Sequence, residues 1–566
     1  MNEEDRFKIV SNDYADFIVD NITLQSFYSS YSNVSDLRIN SVYSVAYIPV
    51  TYFDKNVIYN IGYEAIPKCF GLMSINRKEA TNSMYTLQYT DYDLSGNGIL
   101  IGFVDTGIDY RNNVFKYADN SSKITAIWDQ TIENGNRYPD GFFYGTEFSR
   151  EEINAALLSE NPMSIVPSMD EVGHGTVLAA IAGGSYDADN NFIGVAPNAE
   201  YVVVKLKPAK TNLTEFYFLQ QDAICYQEND IILGINYLVQ TAAKLNRPIV
   251  ICLGIGSSQG SHLGEGIFNN YLATMGQLND VAIIVAAGNE GSSGHHVYGE
   301  ISPEYTFNDI YLNVGNNNPG FFMEFWGNAP NVFTVDVYTP SDEFVGHVPS
   351  VFLQESTLEM VYYDTSVTVD NILENSLGGD QFMLFRIRNP ISGTWRFRII
   401  SLGNLLSNFN IWLPITNFLT AETYFLNSSP YITITTPGNE KTVLTVTAYN
   451  TADQSLYENA SKGFTKDNQP KPDITVPGVN ILAPGIGNQY MLNTGTSVGA
   501  AYASGIVALL QEWGIIKGNQ TALPSSKVRS ILTIGADRFE DMIYPNPDWG
   551  FGIVNLSNSI SLAQKR

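Results

Sequence analysis

Cysteine is nearly absent from this chain: Cys69, Cys225 and Cys252 are the only three in 566 residues. An odd, widely spaced set makes neither a disulfide framework nor a zinc-ligand pattern. Each lies in or beside an apolar stretch, where a thiol reads as a small buried hydrophobe. No run approaches the ~18 consecutive apolar residues that a membrane span requires. The opening MNEEDRFKIV is acidic and lacks an apolar h-region, so the expectation is a chain made inside the cell without a secretory signal. Basic residues are also scarce. Lys and Arg number 31 against 58 Asp and Glu, a formal charge of -27, which repels nucleic acid and anionic lipid and excludes both as expected partners. There are five histidines, at 174, 262, 295, 296 and 347. Internal repeats and low-complexity linkers are missing as well.

What is present is globular: 44% hydrophobic and 16% charged, with 34 Tyr and 30 Phe. The length exceeds the ~250–300 residues that one core supports, so two or three domains are expected. Residues 1–70 read as a small α+β segment, with Phe17-Ile18-Val19 as a strand and a β-rich stretch from Tyr43 to Tyr52. From Gly98 nearly continuous apolar runs appear, at Ile99–Val104, Tyr201–Leu206, Ile249–Gly254 and Val281–Gly288. Continuous runs are what strands buried on both faces require. Ile231, Ile232, Ile235, Leu238, Val239 and Ala242 recur between them at helical spacing, so the expectation is a parallel sheet covered by helices. From about Val297 to Thr436 the pattern becomes period two: Phe333, Val335 and Val337 alternate with polar neighbours, as do Trp395 and Phe397. That predicts an inserted antiparallel sandwich or jelly roll, with Trp326 and Trp395 in its core rather than on a sugar-binding platform. The expected division is 1–70, 71–296, 297–436 and 437–566, the second and fourth parts forming one α/β domain.

Three short motifs carry chemistry, in the order Asp, His, Ser. Asp105-Thr106-Gly107 closes a buried strand, and α/β sites are built at the carboxyl ends of parallel strands. His174 lies between Gly173 and Gly175 at the start of an apolar, small-residue stretch, and it alone of the five histidines is flanked by two glycines. Ser497 follows Gly495-Thr496 and leads a Gly/Ala-rich helix, whose dipole favours developing negative charge. Each motif alone has an ordinary structural reading, as a turn Asp, a structural His and an N-cap Ser. Together they give a nucleophile Ser497, a general base His174 and an orienting carboxylate Asp105. Asn289, in Ala286-Ala287-Gly288-Asn289-Glu290-Gly291, can donate its amide to an oxyanion.

The order Asp…His…Ser and the blocks DTGID, GHGTVLAAIAGG, AAGNEG and NTGTSVGAAYASG resemble those of subtilisin-like serine proteases, as does Lys471-Pro472-Asp473-Ile474. Within that superfamily the layout is similar to the clostridial spore-germination Csp proteases. The resemblance implies an N-terminal α+β prodomain that chaperones folding, ends in the active site and is self-cleaved between Tyr59 and Ile75. It also implies a subtilase core, an inserted jelly roll, and cleavage of a cortex-hydrolase zymogen in the bacterial spore. The chain is expected to be a monomer that holds its own prodomain in the active site. By the same resemblance Cys252-Leu253-Gly254 is the edge strand that pairs with substrate, Cys252 standing where the family usually has Ser. Ala501 stands where it usually has Pro. No cofactor is expected: the Asp/Asn cluster Asp187 to Asn191 could bind Ca²⁺, but it lacks EF-hand spacing and reads as a polar turn. The alternative function is a catalytically silent pseudoprotease that signals or binds during germination.

Overall fold

The computed structural model describes residues 1–73, 76–79, 92–135, 137–360, 363–373, 379–420 and 422–565. Its centre is an eight-stranded sheet. The strands run, in spatial order, Ile474–Pro477, Leu444–Tyr449, Val281–Ala286, Ile249–Leu253, Leu100–Asp105, Glu200–Lys205, Ile124–Asp129 and Thr146–Ser149. All neighbours pair in parallel except the last, which is antiparallel. The continuous apolar runs are explained by burial on both faces. Ile101 and Phe103 join a core on one side, with the helices His174–Gly183 and Thr496–Gln511. Leu100 and Val104 join a core on the other, with the helix Glu228–Leu245. Full burial of each such side chain contributes about 1.5–3 kcal/mol. Gly102 lets the helix close on the sheet, since a Cβ there would lie 2.7 Å from Leu238 Cδ1.

The chain builds strands on one side of Leu100–Asp105 and then returns to build on its other side. Asp105 therefore ends the strand at the topological switch point, where open α/β sheets leave a crevice.

Between Val281–Ala286 and Leu444–Tyr449 the chain leaves the sheet and forms two antiparallel sheets. One runs His296–Ile301, Ser407–Trp412, Gly320–Gly327, Gln381–Arg388, Ser366–Leu373 and Gln354–Glu359. The other runs Phe344–Val348, Phe333–Tyr338, Gly393–Ser401, Phe307–Val314 and Tyr424–Phe425. The period-two residues Phe333, Val335, Val337, Trp395 and Phe397 face a shared core. Trp326 and Trp395 are each 1% exposed, so neither offers a binding platform. Trp395 lies in the insert's own core, whereas Trp326, expected there too, packs into the α/β core instead.

At the N-terminus, Tyr14–Asp20 and Ser35–Arg38 flank Tyr43–Pro49 in a three-stranded antiparallel sheet. It shares apolar contacts with the α/β core through Ile18, Val45 and Tyr47. It is also fixed by a buried carboxylate: Asp16 accepts from Lys210 Nζ at 2.5 Å, Gln227 Nε2 at 2.9 Å and Asn229 Nδ2 at 3.1 Å. Among the described residues no helix is long and apolar enough to cross a membrane.

Candidate active site

Asp105, His174, Ser497 and Asn289 converge at the switch-point crevice although they are spread over nearly 400 positions. His174 Nδ1 lies 2.7 Å from Asp105 Oδ1, and both side chains are buried. The Thr106 amide donates to the same Asp105 oxygen at 2.8 Å. Among the described residues no donor reaches Asp105 Oδ2, so the buried charge is directed chiefly at the imidazole.

The glycines flanking His174 have separate uses. Gly173 caps the helix with φ of 83°, in the left-handed region that glycine adopts at no steric cost. A Cβ on Gly175 would stand 2.2 Å from the Gly107 carbonyl oxygen, so only glycine lets the helix start against the Asp105 turn. The helix start is further held by Asp170, which the sequence reading did not single out. Its Oδ1 accepts from the Gly173 and Val172 amides at 2.6 and 3.0 Å; its Oδ2 accepts from the Thr176 amide and hydroxyl at 3.0 and 2.7 Å. A carboxylate three residues before a Gly-His-Gly at a helix start was the available signal.

Ser497 sits in the first turn of Thr496–Gln511, where backbone N–H groups have no intrahelical acceptor. Asn289 follows the strand Val281–Ala286, and its Oδ1 accepts from Thr496 N at 3.1 Å and Thr496 Oγ1 at 2.8 Å. That contact fixes which end of the amide donates. The arrangement supplies a hydroxyl at a helix N-terminus, an imidazole held by a carboxylate, and a side-chain amide beside the hydroxyl.

The crevice is filled by the chain itself. Cys69–Leu72 is a strand paired antiparallel on one side with Tyr226–Gln227 and on the other with Ile255–Gly256. The Met73 amide donates to Gly254 O at 3.0 Å. Ser497 Oγ donates to the Met73 carbonyl oxygen at 2.9 Å, and His174 Nε2 is 3.4 Å from that oxygen. Beyond the site the chain pairs again, Asn76–Glu79 against Tyr490–Thr494. The described stretches at 69–73 and 76–79 are thus each held by strand pairing near the nucleophile. The expected cleavage window, Tyr59 to Ile75, extends over Ser74 and Ile75, which lie outside the described residues.

The Met73 side chain is only 2% exposed. Its Cε lies 3.1 Å from where a Gly256 Cβ would be, and Thr435 Oγ1 approaches its sulfur at 3.8 Å. Thr435 also crowds Gly288, with Oγ1 and Cγ2 both 2.8 Å from that glycine's notional Cβ. Gly256 and Thr435 thus wall a slot for an unbranched apolar side chain, with Thr435 packed in turn on Gly288.

The expected edge strand needs correction by two residues. Cys252 lies inside the parallel sheet, paired with Phe103 on one side and Ile284 on the other, and Leu253 continues the pairing opposite Val285. Their backbones are committed to the sheet, and burial pushes the Cys252 thiol up to about 12. The pairing edge is Gly254-Ile255-Gly256. Gly254 faces the triad: a Cβ there would meet Leu178 Cδ1 at 2.6 Å and His174 Cε1 at 2.9 Å. Ala501 is buried within the Ser497 helix, which runs on unbroken to Gln511.

Asp187 forms a tight polar turn. Its oxygens accept from the Asp189 amide at 3.1 Å, Asn190 Nδ2 at 3.0 Å and Tyr490 Oη at 2.6 Å. Among the described residues, no group of three or more His, Cys, Asp or Glu is arranged to hold a metal.

A parallel sheet with an Asp-His-Ser array at its switch point defines a serine hydrolase of the subtilisin type. The model of the subtilase family matches residues 96–344 and 375–543, and the chain belongs to that family. The structure is similar to that of the Clostridium perfringens CspB protease, with a TM-score of 0.74 and 31% identity, covering 84% of this chain and 97% of that one. Serine protease AprX of Bacillus subtilis is 33% identical over 149 residues, 23% of this chain and 32% of AprX. The PI-type proteinase of Lactococcus lactis subsp. cremoris is 21% identical over 479 residues, 76% of this chain and 23% of that proteinase. The chain thus spans a third or less of these two curated relatives.

Proposed function

We propose that the chain is a serine endopeptidase that first cleaves itself after Met73 and then acts on a protein zymogen, a pro-form of a spore cortex-lytic hydrolase. The observation that carries the reading is the seat of Met73: its carbonyl oxygen lies 2.9 Å from Ser497 Oγ while its amide is held by Gly254. Ser497 Oγ attacks the Met73 carbonyl carbon, and His174 takes the hydroxyl proton and returns it to the departing amine. A water deprotonated by His174 then hydrolyses the Met73–Ser497 ester, freeing the Met73 carboxylate and the serine. Asp105 holds the imidazole tautomer and stabilises the imidazolium. Asn289 and the Ser497 amide stabilise the oxyanion, each such donor contributing about 3–4 kcal/mol.

Residues 1–73 then act as a prodomain that stays docked, through the Asp16 contacts and the paired strand at 69–72. The insert is a jelly roll. The run His296–Ile301, Ser407–Trp412, Gly320–Gly327, Gln381–Arg388 against Phe307–Val314, Gly393–Ser401, Phe333–Tyr338, Phe344–Val348 is the winding order expected of two interlocked Greek keys. The zymogen substrate and the spore setting rest on likeness to the Csp group. A silent pseudoprotease is the second reading, favoured by one observation: the segment in the crevice is buried along its whole length, Cys69 to Met73.

The test is the intact mass of wild type beside Ser497→Ala. Two fragments from wild type, the smaller ending at Met73, with an uncut mutant, support the protease. If both stay whole and wild type cuts no test protein, the pseudoprotease takes its place.

A further inference from the structure

We infer that the inserted β unit sets the specificity of the cleft: Ile415 and Phe418 form a gate that favours glycine over any larger residue at the third residue before the scissile bond. This rests on the proposed cleavage after Met73, which makes Gly71 that residue. Gly71 is buried in the paired strand. A Cβ built on it would lie 2.5 Å from Ile415 Cδ1 and 3.2 Å from both Cε1 and Cζ of Phe418. Its φ lies outside the left-handed region, so its backbone is one that any residue adopts. A side chain here must displace the buried Ile415 Cδ1 and press on the Phe418 ring, so space alone favours glycine.

The gate is anchored from both ends. Ile415 and Phe418 are 1% and 2% exposed and pack into the α/β core, and they close the turn Thr416–Phe418 with a Phe418 N to Ile415 O bond of 2.9 Å. Between them, the Thr416 amide and hydroxyl each donate to Glu290 at 3.0 Å. Glu290 follows the oxyanion residue Asn289 directly and is itself bonded to His295 Nδ1 at 2.7 Å. Burial pushes the Glu290 carboxyl up, but the bonds from His295 and Thr416 outweigh it and hold it below its ordinary value, ionised to grip the turn. Asn417 Nδ2 donates to the Leu72 carbonyl at 2.9 Å, so the same turn also reads the backbone one residue further on. Three short segments thus enclose the bound strand: Tyr226–Gln227, Gly254–Gly256 and the insert's turn.

The substrate class follows. It is an extended protein segment with an aromatic residue, glycine, leucine and an unbranched apolar residue ending at the cut. Phe70, the first of the four, is fully buried, its ring 5.3 Å from that of Phe268 in edge contact.

The experiment is a graded series in the full chain, Gly71→Ala and Gly71→Val, each alone and with Ile415→Ala, read as the rate of self-cleavage by intact mass. Gly71→Val is expected to slow cleavage by about tenfold or more, as overpacking a filled site does, Gly71→Ala by less, and Ile415→Ala to restore both. A Gly71→Val chain that cuts at the wild-type rate overturns the gate while leaving the protease reading intact. Should wild type cut neither itself nor any test protein, the protease reading falls and the gate is read by melting in Ser497→Ala. There Gly71→Val must lower Tm and Ile415→Ala must recover it; no change in Tm overturns the gate.

Discussion

Replacing Asp170 tests whether the base is positioned by its helix start rather than by Asp105 alone. Asp170 is fully buried and accepts four hydrogen bonds at 2.6–3.0 Å, from Val172, Gly173 and Thr176, the residues on either side of His174. In Asp170→Asn, whichever way the amide turns, one side presents an NH₂ to backbone N–H donors. At least one buried donor then loses its acceptor, which costs about 1–3 kcal/mol, more where the lost acceptor was charged. Asp170→Ala removes all four bonds and leaves three buried backbone donors without an acceptor, at about 1–3 kcal/mol for each that finds no new partner. His174 opens the helix whose first turn these bonds define, so the base is displaced too. A misplacement near 1 Å costs about 10²-fold in rate. Stability is measured in the Ser497→Ala background, to avoid cutting, as the shift of the first urea transition, since a chain of several units need not unfold in one step. Rate is measured as single-turnover self-cleavage. An Asp170→Asn chain with an unmoved transition and a cleavage rate within twofold of wild type would refute the argument.

Two further outcomes are expected. His296 is buried, with Nε2 on Asn410 Oδ1 at 3.0 Å and its ring stacked on Trp412 at 4.9 Å; burial, offset in part by its hydrogen bonds, takes it down from 6.5 to about 4. The unfolded chain binds this proton first on acidification. The stability contributed by neutral His296 is therefore complete above 6.5 and lost as pH falls from 6.5 toward 4; Tm of Ser497→Ala should fall across that window, and less steeply in His296→Gln, equal slopes counting against the assignment. Lys471, also buried, donates to Asp473 Oδ2 at 2.7 Å and Val443 O at 2.8 Å. Lys471→Met leaves Asp473 to Arg529 and to backbone donors, so unfolding should come earlier by about 3 kcal/mol with self-cleavage of the folded chain unchanged; a slower cut would tie this pair to the site instead.

The triad was legible because each member sits in a short local pattern: a buried run ending in Asp105-Thr106-Gly107, a histidine between two glycines, a serine leading a small-residue helix. The chemistry needs those neighbours at once in space and in sequence, as Gly175 shows: a Cβ there would lie 2.2 Å from the Gly107 carbonyl oxygen in the Asp105 turn. The edge strand was misplaced by two residues because Ile249 to Gly256 is apolar throughout. Nothing in composition marks where the strand buried in the sheet stops and the exposed edge begins; hydrogen bonds to Phe103 and Ile284 decide that, and they come from distant segments. Met73 was illegible for a related reason. Its place opposite Ser497 is fixed by the register of Leu72 on Ile255, a long-range pairing with no local signature.

The gate residues lay deeper still. Ile415 and Phe418 read as ordinary apolar residues at the end of a β unit that belongs to the insert by sequence and to the cleft by contact. Gly71 carried the one available trace, a glycine in a strand without a turn to require it, which signals close approach of another group. The function of the insert is thus written at its return to the core. The turn at 415–418 is tied to Glu290, next to Asn289, and to the Leu72 carbonyl, next to the Met73 seated at Ser497. A unit that only stiffened the molecule would need neither contact. Under the proposed self-cleavage, an insert that closes over the peptide would make the cut depend on a fit along four residues, Phe70 to Met73, which suits an enzyme with one bond to find.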